Sequence, residues 1–171
     1  MNNDTDHINF EIEKFSLDSS VVIAFFNSNL EHILRVVFKN KIYFSSEIFK
    51  EIKRYDLGSF NCHIVNTKTV EESEYFYQLS GEHISLSVAD VHLITICKFN
   101  SLVCVSFEKK MRKVCNEENI KNIGLLHILK AAVKLSLLDN EKARNIVLKL
   151  KNNGLYLDKT TINKIFKEFC T

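Results

Sequence analysis

From Phe15 onward, short apolar runs alternate with longer stretches in which apolar residues recur every three or four positions. The short runs predict strands: FSL at 15–17, KIYF at 41–44, NCHIVN at 61–66, SLVCVS at 101–106 and IKNIG at 120–124. The fourth is almost continuously apolar, as a strand buried on both faces of a parallel sheet must be. The helical period predicts SSVVIAFFN at 19–27 and NLEHILRVVFKN at 29–40, the latter with Leu30, Ile33, Leu34 and Val37 on one face. SSEIFKEIKRYDLG at 45–58 opens on serine caps and closes on Gly58. TVEESEYFYQLSG at 69–81 has an acidic first turn, and LSVADVHLITICKFN at 86–100 sets Val91 and Ile94 in line with Thr95 or Lys98. FEKKMRKVCNEEN at 107–119 is a basic helix, and three more helices fill 125–139, 140–154 and 160–170. Strands separated by helices imply an α/β fold with a mostly parallel sheet of about five short strands, helices on both faces and a helical C-terminal section. In such sheets ligands gather outside the carboxyl ends of the strands, which is where Asp18 falls.

The length of 171 residues is enough for one domain with its own core. A net charge of +2 points away from a generally basic nucleic-acid binder, so phosphate contacts would have to come from a local patch. With no proline and four glycines, turn positions have to be read from Asn, Ser and Asp. Cys62, Cys97, Cys104, Cys115 and Cys170 are odd in number and form no C-x-x-C pair, which predicts reduced thiols and neither a disulfide framework nor a zinc site. The leader at 1–14 is polar and acidic, unlike a signal peptide, and no apolar run is long enough to span a bilayer. A cytoplasmic protein is the expectation.

Four acids stand at junctions where chemistry could gather, and each has a plain structural reading. Asp18 ends the first strand and can cap the helix that follows. Glu51 lies on the helix after the second strand among Lys50, Lys53 and Arg54, with Glu47 one turn earlier as its competitor. Ser87 and Asp90 have the spacing of a capping box, although Val88, Ala89, Val91 and Leu93 surround the acid with apolar groups. Glu108 follows the long buried strand, close to a helix start that Ser106 could cap. Taken together, these are places that can converge at the carboxyl edge of a parallel sheet. Converging carboxylates repel unless protonated or neutralised by a cation. An oxygen-only donor set suits Mg²⁺ or Mn²⁺, ions that polarise phosphoryl oxygens and activate water for phosphodiester hydrolysis.

Four stretches then carry a resemblance to the PIN-domain family, which includes the VapC toxin ribonucleases. FSLDSSVVI is similar to the family's first strand and first Asp, and IYFSSEIFKEI to its second strand and the helix bearing a Glu, which falls on Glu51. LSVADVHLITICK resembles the segment of the third acid, Asp90. LVCVSFEKKMRK resembles the strand followed by (T/S)-x-D and a basic helix, matching Ser106 and Glu108. The tail, NIGLLHILKAAVKLSLLD and beyond, is similar to a subgroup with a helical C-terminal extension. The chain departs from the family in carrying Glu108 where Asp is commoner, one methylene longer, and Ser136 where the subgroup tends to have Gly.

The resemblance implies a three-layer PIN-like sandwich over 15–136 with the extension at 137–171 packed on it. It implies a metal-dependent endoribonuclease, the toxin of a type II toxin–antitoxin pair, with a cognate antitoxin protein and a homodimeric state. Asp18, Asp90 and Glu108 would bind Mg²⁺ or Mn²⁺, Glu51 would hold a metal-bound water or a second ion, and Ser106 would orient the cluster. Lys109, Lys110, Arg112 and Lys113 would contact the RNA backbone. Tyr43, Tyr75 and Tyr77 could stack bases but equally suit a core. The competing reading is a PIN-like binding module without catalysis, favoured by Glu108. A haloacid-dehalogenase-type phosphatase would need an Asp where Ser20 stands, and a response-regulator receiver would need paired acids near the first strand.

Overall fold

The computed structural model describes residues 8–39, 41–58 and 60–170. Residues 1–7 of the predicted leader lie outside the described residues. Five strands, β1 (Phe15–Leu17), β2 (Ile42–Ser45), β3 (Cys62–Val65), β4 (Val103–Val105) and β5 (Asn122–Ile123), form one sheet in the order β3-β2-β1-β4-β5. Every pairing is parallel. Register decides which side chains share a face: Phe15 opposes Val103 and Leu17 opposes Val105, while Ser16 between them opposes Cys104.

That alternation divides the interior in two. Phe15, Leu17, Phe44, Val103 and Val105 face α1 (Ser19–Asn27), α2 (Glu31–Phe38), α3 (Ser46–Ile52), α7 (Leu125–Lys134), α8 (Asn140–Asn152) and α9 (Lys159–Glu168). Cys104 faces the opposite cluster, built from α4 (Val70–Glu82), α5 (Val88–Phe99) and α6 (Lys109–Glu117). The result is an α/β sandwich of three layers. Ala143, Val147, Leu150 and Ile165 of the last two helices belong to the same apolar cluster as the sheet face. Ser16, buried in the central strand, donates its hydroxyl to Tyr43 O at 2.8 Å, so no polar atom there is left unmet.

Helix boundaries follow local chemistry. Thr69 with Glu72 and Ser87 with Asp90 form capping boxes, and Asp139 and Asp158 cap α8 and α9. At the other end, α1, α5, α6, α7 and α8 close in one way. A left-handed residue (Asn29, Ser101, Asn119, Ser136 or Gly154) is followed by an apolar one whose N–H reaches back five residues. Leu30 bonds Phe25 O, Leu102 bonds Cys97 O, Ile120 bonds Cys115 O, Leu137 bonds Ala132 O and Leu155 bonds Leu150 O. This is the Schellman arrangement, usually built on glycine.

Three expectations need correction. The third helix stops at Ile52, six residues before Gly58, because its apolar anchors Ile48 and Ile52 are then spent and the following turn is solvent-facing. Ser106 is not the cap of α6; Glu108 holds that position, and the Ser106 hydroxyl accepts from the Glu108 N–H. The leader is polar only in part, since Phe10 stacks on Phe15 at 5.2 Å and packs against Phe38. Among the described residues no helix is long and apolar enough to cross a membrane.

Candidate active site at the carboxyl edge

The chain leaves β1 toward β2 and β3 on one side and returns to place β4 on the other. The two central neighbours therefore send their connections in opposite directions, and a crevice opens beyond their carboxyl ends. Asp18 follows β1 directly, its N–H bonded to Val105 O on β4 at 2.9 Å. Ser106 and Glu108 follow β4, and Asp90 sits in the first turn of α5. Three separate elements thus bring acids to one rim.

Asp18 is only 5 % exposed. Its carboxylate accepts from the Ser20 hydroxyl at 2.6 Å, the Ser106 hydroxyl at 3.1 Å and the Ser20 N–H at 3.3 Å. The helix-cap reading holds: Oδ1 of Asp18 accepts the Ser20 N–H that starts α1, while Oδ2 meets the serine that follows β4. Burial pushes the Asp18 pKa up, and the charge of Asp90 adds to the rise against the hydrogen bonds of Ser20 and Ser106. Glu108 is raised first by burial and then by the charges of Asp18 and Asp90, with Lys110 opposing. These carboxylates feel one another across the rim. Asp90 meanwhile accepts from the Ser87 N–H at 2.8 Å, which fixes it on its helix.

Glu51 stands apart from these hydrogen bonds. It is exposed on α3 and makes no hydrogen bond or ion pair among the described residues. Glu47 lies one turn nearer the strand end, pairs with Lys50 at 2.7 Å, and exchanges charge effects with His92, two residues beyond Asp90. Among the described residues, no three of His, Cys, Asp or Glu close into a group that grips an ion directly. The donor set is nevertheless all oxygen and mutually repelling, which suits a hard cation that keeps water among its ligands.

The four cations of α6 separate. Lys110 donates to Ser85 O at 2.5 Å on the acid side, whereas Lys109 pairs with Asp158 at 3.1 Å and Lys113 with Glu117 at 3.5 Å. Arg112 donates to Ser106 O at 2.6 Å, holding the loop that carries the serine. Of the tyrosines, Tyr43 stacks on His63, Tyr75 donates to Glu118 at 2.8 Å, and Tyr77 is exposed. Ser20, the strongest partner of Asp18, went unmarked as a site residue in the sequence, although Asp-x-Ser at a strand end is a recognisable capping signal. All five cysteines are free thiols, with Cys97, Cys104 and Cys115 buried together behind β4.

No curated protein matches the chain. The family model for the DUF3368 group of PIN domains matches residues 15–170, from the first residue of β1 to the end of α9's exit. PIN domains are generally nucleases that use divalent metals. The five-stranded parallel sheet, the acids on its rim and that match agree, and the chain belongs to the PIN-domain family.

Proposed function

We propose that the protein is a metal-dependent endoribonuclease that hydrolyses RNA phosphodiester bonds. The observation that carries this reading is the mutual repulsion of Asp18 and Glu108 with Asp90, delivered by three elements to the crevice between β1 and β4. Carboxylates that raise one another's proton affinity are relieved by a cationic counterpart. Asp18, Asp90 and Glu108 would hold Mg²⁺ or Mn²⁺, in part through water. When bound, such an ion polarises a phosphoryl oxygen and lowers the pKa of water. Ser106 and Ser20 fix the Asp18 carboxylate, and Glu51, uncommitted on α3, is available to hold a water or a second ion. Lys110 lies beside the acids and tempers the charge at Glu108.

The toxin role follows from the resemblance: a cognate antitoxin would cover the rim, and a homodimer would be the working unit. The rival reading, a PIN-like module without catalysis, draws on Glu108 and on the wide spacing of the acids. One experiment decides. Single-stranded RNA is incubated with the parent and with Asp18→Asn and Asp90→Asn, with and without Mn²⁺. Cleavage that requires Mn²⁺ and disappears in both variants supports the nuclease; equal nicking by parent and variants would mean a contaminant and sink it.

A further inference from the structure

A cavity of about 260 Å³ lies between α6 and the start of α7, with none of the rim acids in its lining. Lys109, Arg112 and Lys113 of α6 form one wall; Asn122 of β5 and Gly124 and His127 at the start of α7 form the other. No carboxylate and no phenyl or phenol ring lines it. Three cations therefore face a recess that also receives the positive end of the α7 dipole.

The walls are set in place to different degrees. Arg112 spans the cavity to Ser106 O, and its guanidinium lies so close over Gly124 that a Cβ there would meet Nη1 at 3.2 Å. His127 accepts from the Gly124 N–H through Nδ1, which leaves the ring proton on Nε2. Lys109 and Lys113 are paired with Asp158 and Glu117, but their side chains are 60 % and 78 % exposed, so those pairs are weak and exchangeable. The Asn122 amide is committed to Asn116 and Ile120 and serves only as wall.

We propose that this cavity seats a backbone phosphate of the RNA strand flanking the one cleaved at the Asp18–Asp90–Glu108 rim. The inference rests on the ribonuclease reading and extends it. A lining with three cations, two of them in exposed, exchangeable pairs, and no carboxylate of its own fits an anion; the lack of phenyl or phenol rings for stacking fits backbone and not base. Ser106 connects the two places, since its hydroxyl meets Asp18 while its carbonyl meets Arg112. A strand lying across the N-terminus of α6 would touch both.

The test compares the parent with Lys109→Gln/Lys113→Gln, and with Gly124→Ala, which keeps every charge and crowds Arg112. Metal-free binding of a single-stranded RNA of about a dozen nucleotides is measured across a salt series, and a set of RNAs carrying one neutral methylphosphonate each is assayed for binding and Mn²⁺-dependent cleavage. The double variant is expected to bind roughly tenfold more weakly at low salt, with its log–log salt slope flatter by about 0.7 for the lost phosphate. In the parent, one neutralised position beside the scissile bond weakens binding; in the double variant that position no longer matters, and in Gly124→Ala its effect shrinks. Unchanged salt slopes, or the same sensitive position in parent and double variant, would overturn the proposal while leaving cleavage untouched. So would inorganic phosphate competing at the cavity while RNA binding ignores both lysines. Position-dependent binding without any cleavage would instead remove the nuclease reading and leave the cavity standing.

Discussion

The acids of the β1–β4 rim and the acids of α3 share a residue type and a sheet edge, yet differ in what surrounds them. Asp18 is buried beside a serine from another strand, and its proton affinity is raised by burial and by a like charge. Glu47, four residues before Glu51 on the same helical stripe, sits at the surface, and the Lys50 ammonium holds its carboxyl below the usual range. Glu51 beside it is exposed and unpartnered. Motif position marks Glu51; environment marks Asp18. Carboxylates kept near one another without neutralisation store a repulsion that a cation can release, whereas a carboxylate matched by an ammonium has no such debt.

That contrast can be broken most sharply at the rim. Asp18→Asn and Asp90→Asn should each lower Mn²⁺-dependent cleavage by more than the roughly 10- to 100-fold that outer partners of a metal site cost. Single-turnover rates on one labelled RNA measure it; activity within tenfold of the parent would place the ion elsewhere. On α3, Glu51→Gln should cost about tenfold, or about 1.4 kcal/mol in the barrier, and Glu47→Gln less than twofold, because only Glu51 is free to take a ligand. The reverse order would shift that role to the residue beside His92. Ser106→Ala should cost several-fold, within the lower part of the range for orienting groups, and leave the metal-dependence of cleavage in place.

The smallest effect is thermodynamic and carries a definite sign. The folded-state pKa of Asp18 lies above its unfolded value, so between the two the native chain holds more protons than the unfolded one. Metal-free stability therefore falls as pH rises through the folded pKa, and the loss is absent below the unfolded value near ~3.9. Asp18→Asn keeps a cap acceptor and removes the charge. It should raise Tm at pH 7 by roughly 3 °C, with the gain gone by pH ~4. Mn²⁺ should raise the Tm of the parent and not of the variant; a lower Tm for Asp18→Asn at neutral pH would show that the hydrogen bonds outweigh the repulsion.

Much of the architecture was legible because the strand pattern is strong. Val103–Val105 is apolar at every position and Phe15–Leu17 at all but Ser16, and capping pairs such as Ser87 with Asp90 announce helix starts within four residues. Asp18 was legible as the cap of α1 and as an acid at the end of the first strand. The division of labour along α6 was not, since a helix face of Lys109, Lys110, Arg112 and Lys113 looks uniform until tertiary packing sends Lys110 toward Ser85 and Arg112 toward Ser106. The early end of α3 was hidden by Gly58, a stop signal set in a turn beyond the last buried anchor. Gly124 and His127 gave no signal at all, because their part in a cavity depends on β5 and α6 meeting across a gap the sequence does not measure.

The repeated helix exit has a consequence for how robust the molecule is. Four of the five left-handed exit positions carry a side chain, Asn29, Ser101, Asn119 and Ser136. An L-residue there costs up to ~1–2 kcal/mol, less for asparagine, against the entropy that glycine would give back to the unfolded chain. A glycine-poor composition has thus been accommodated at known addresses, and Ser101 and Ser136 are where the fold retains thermal headroom that its present sequence does not use.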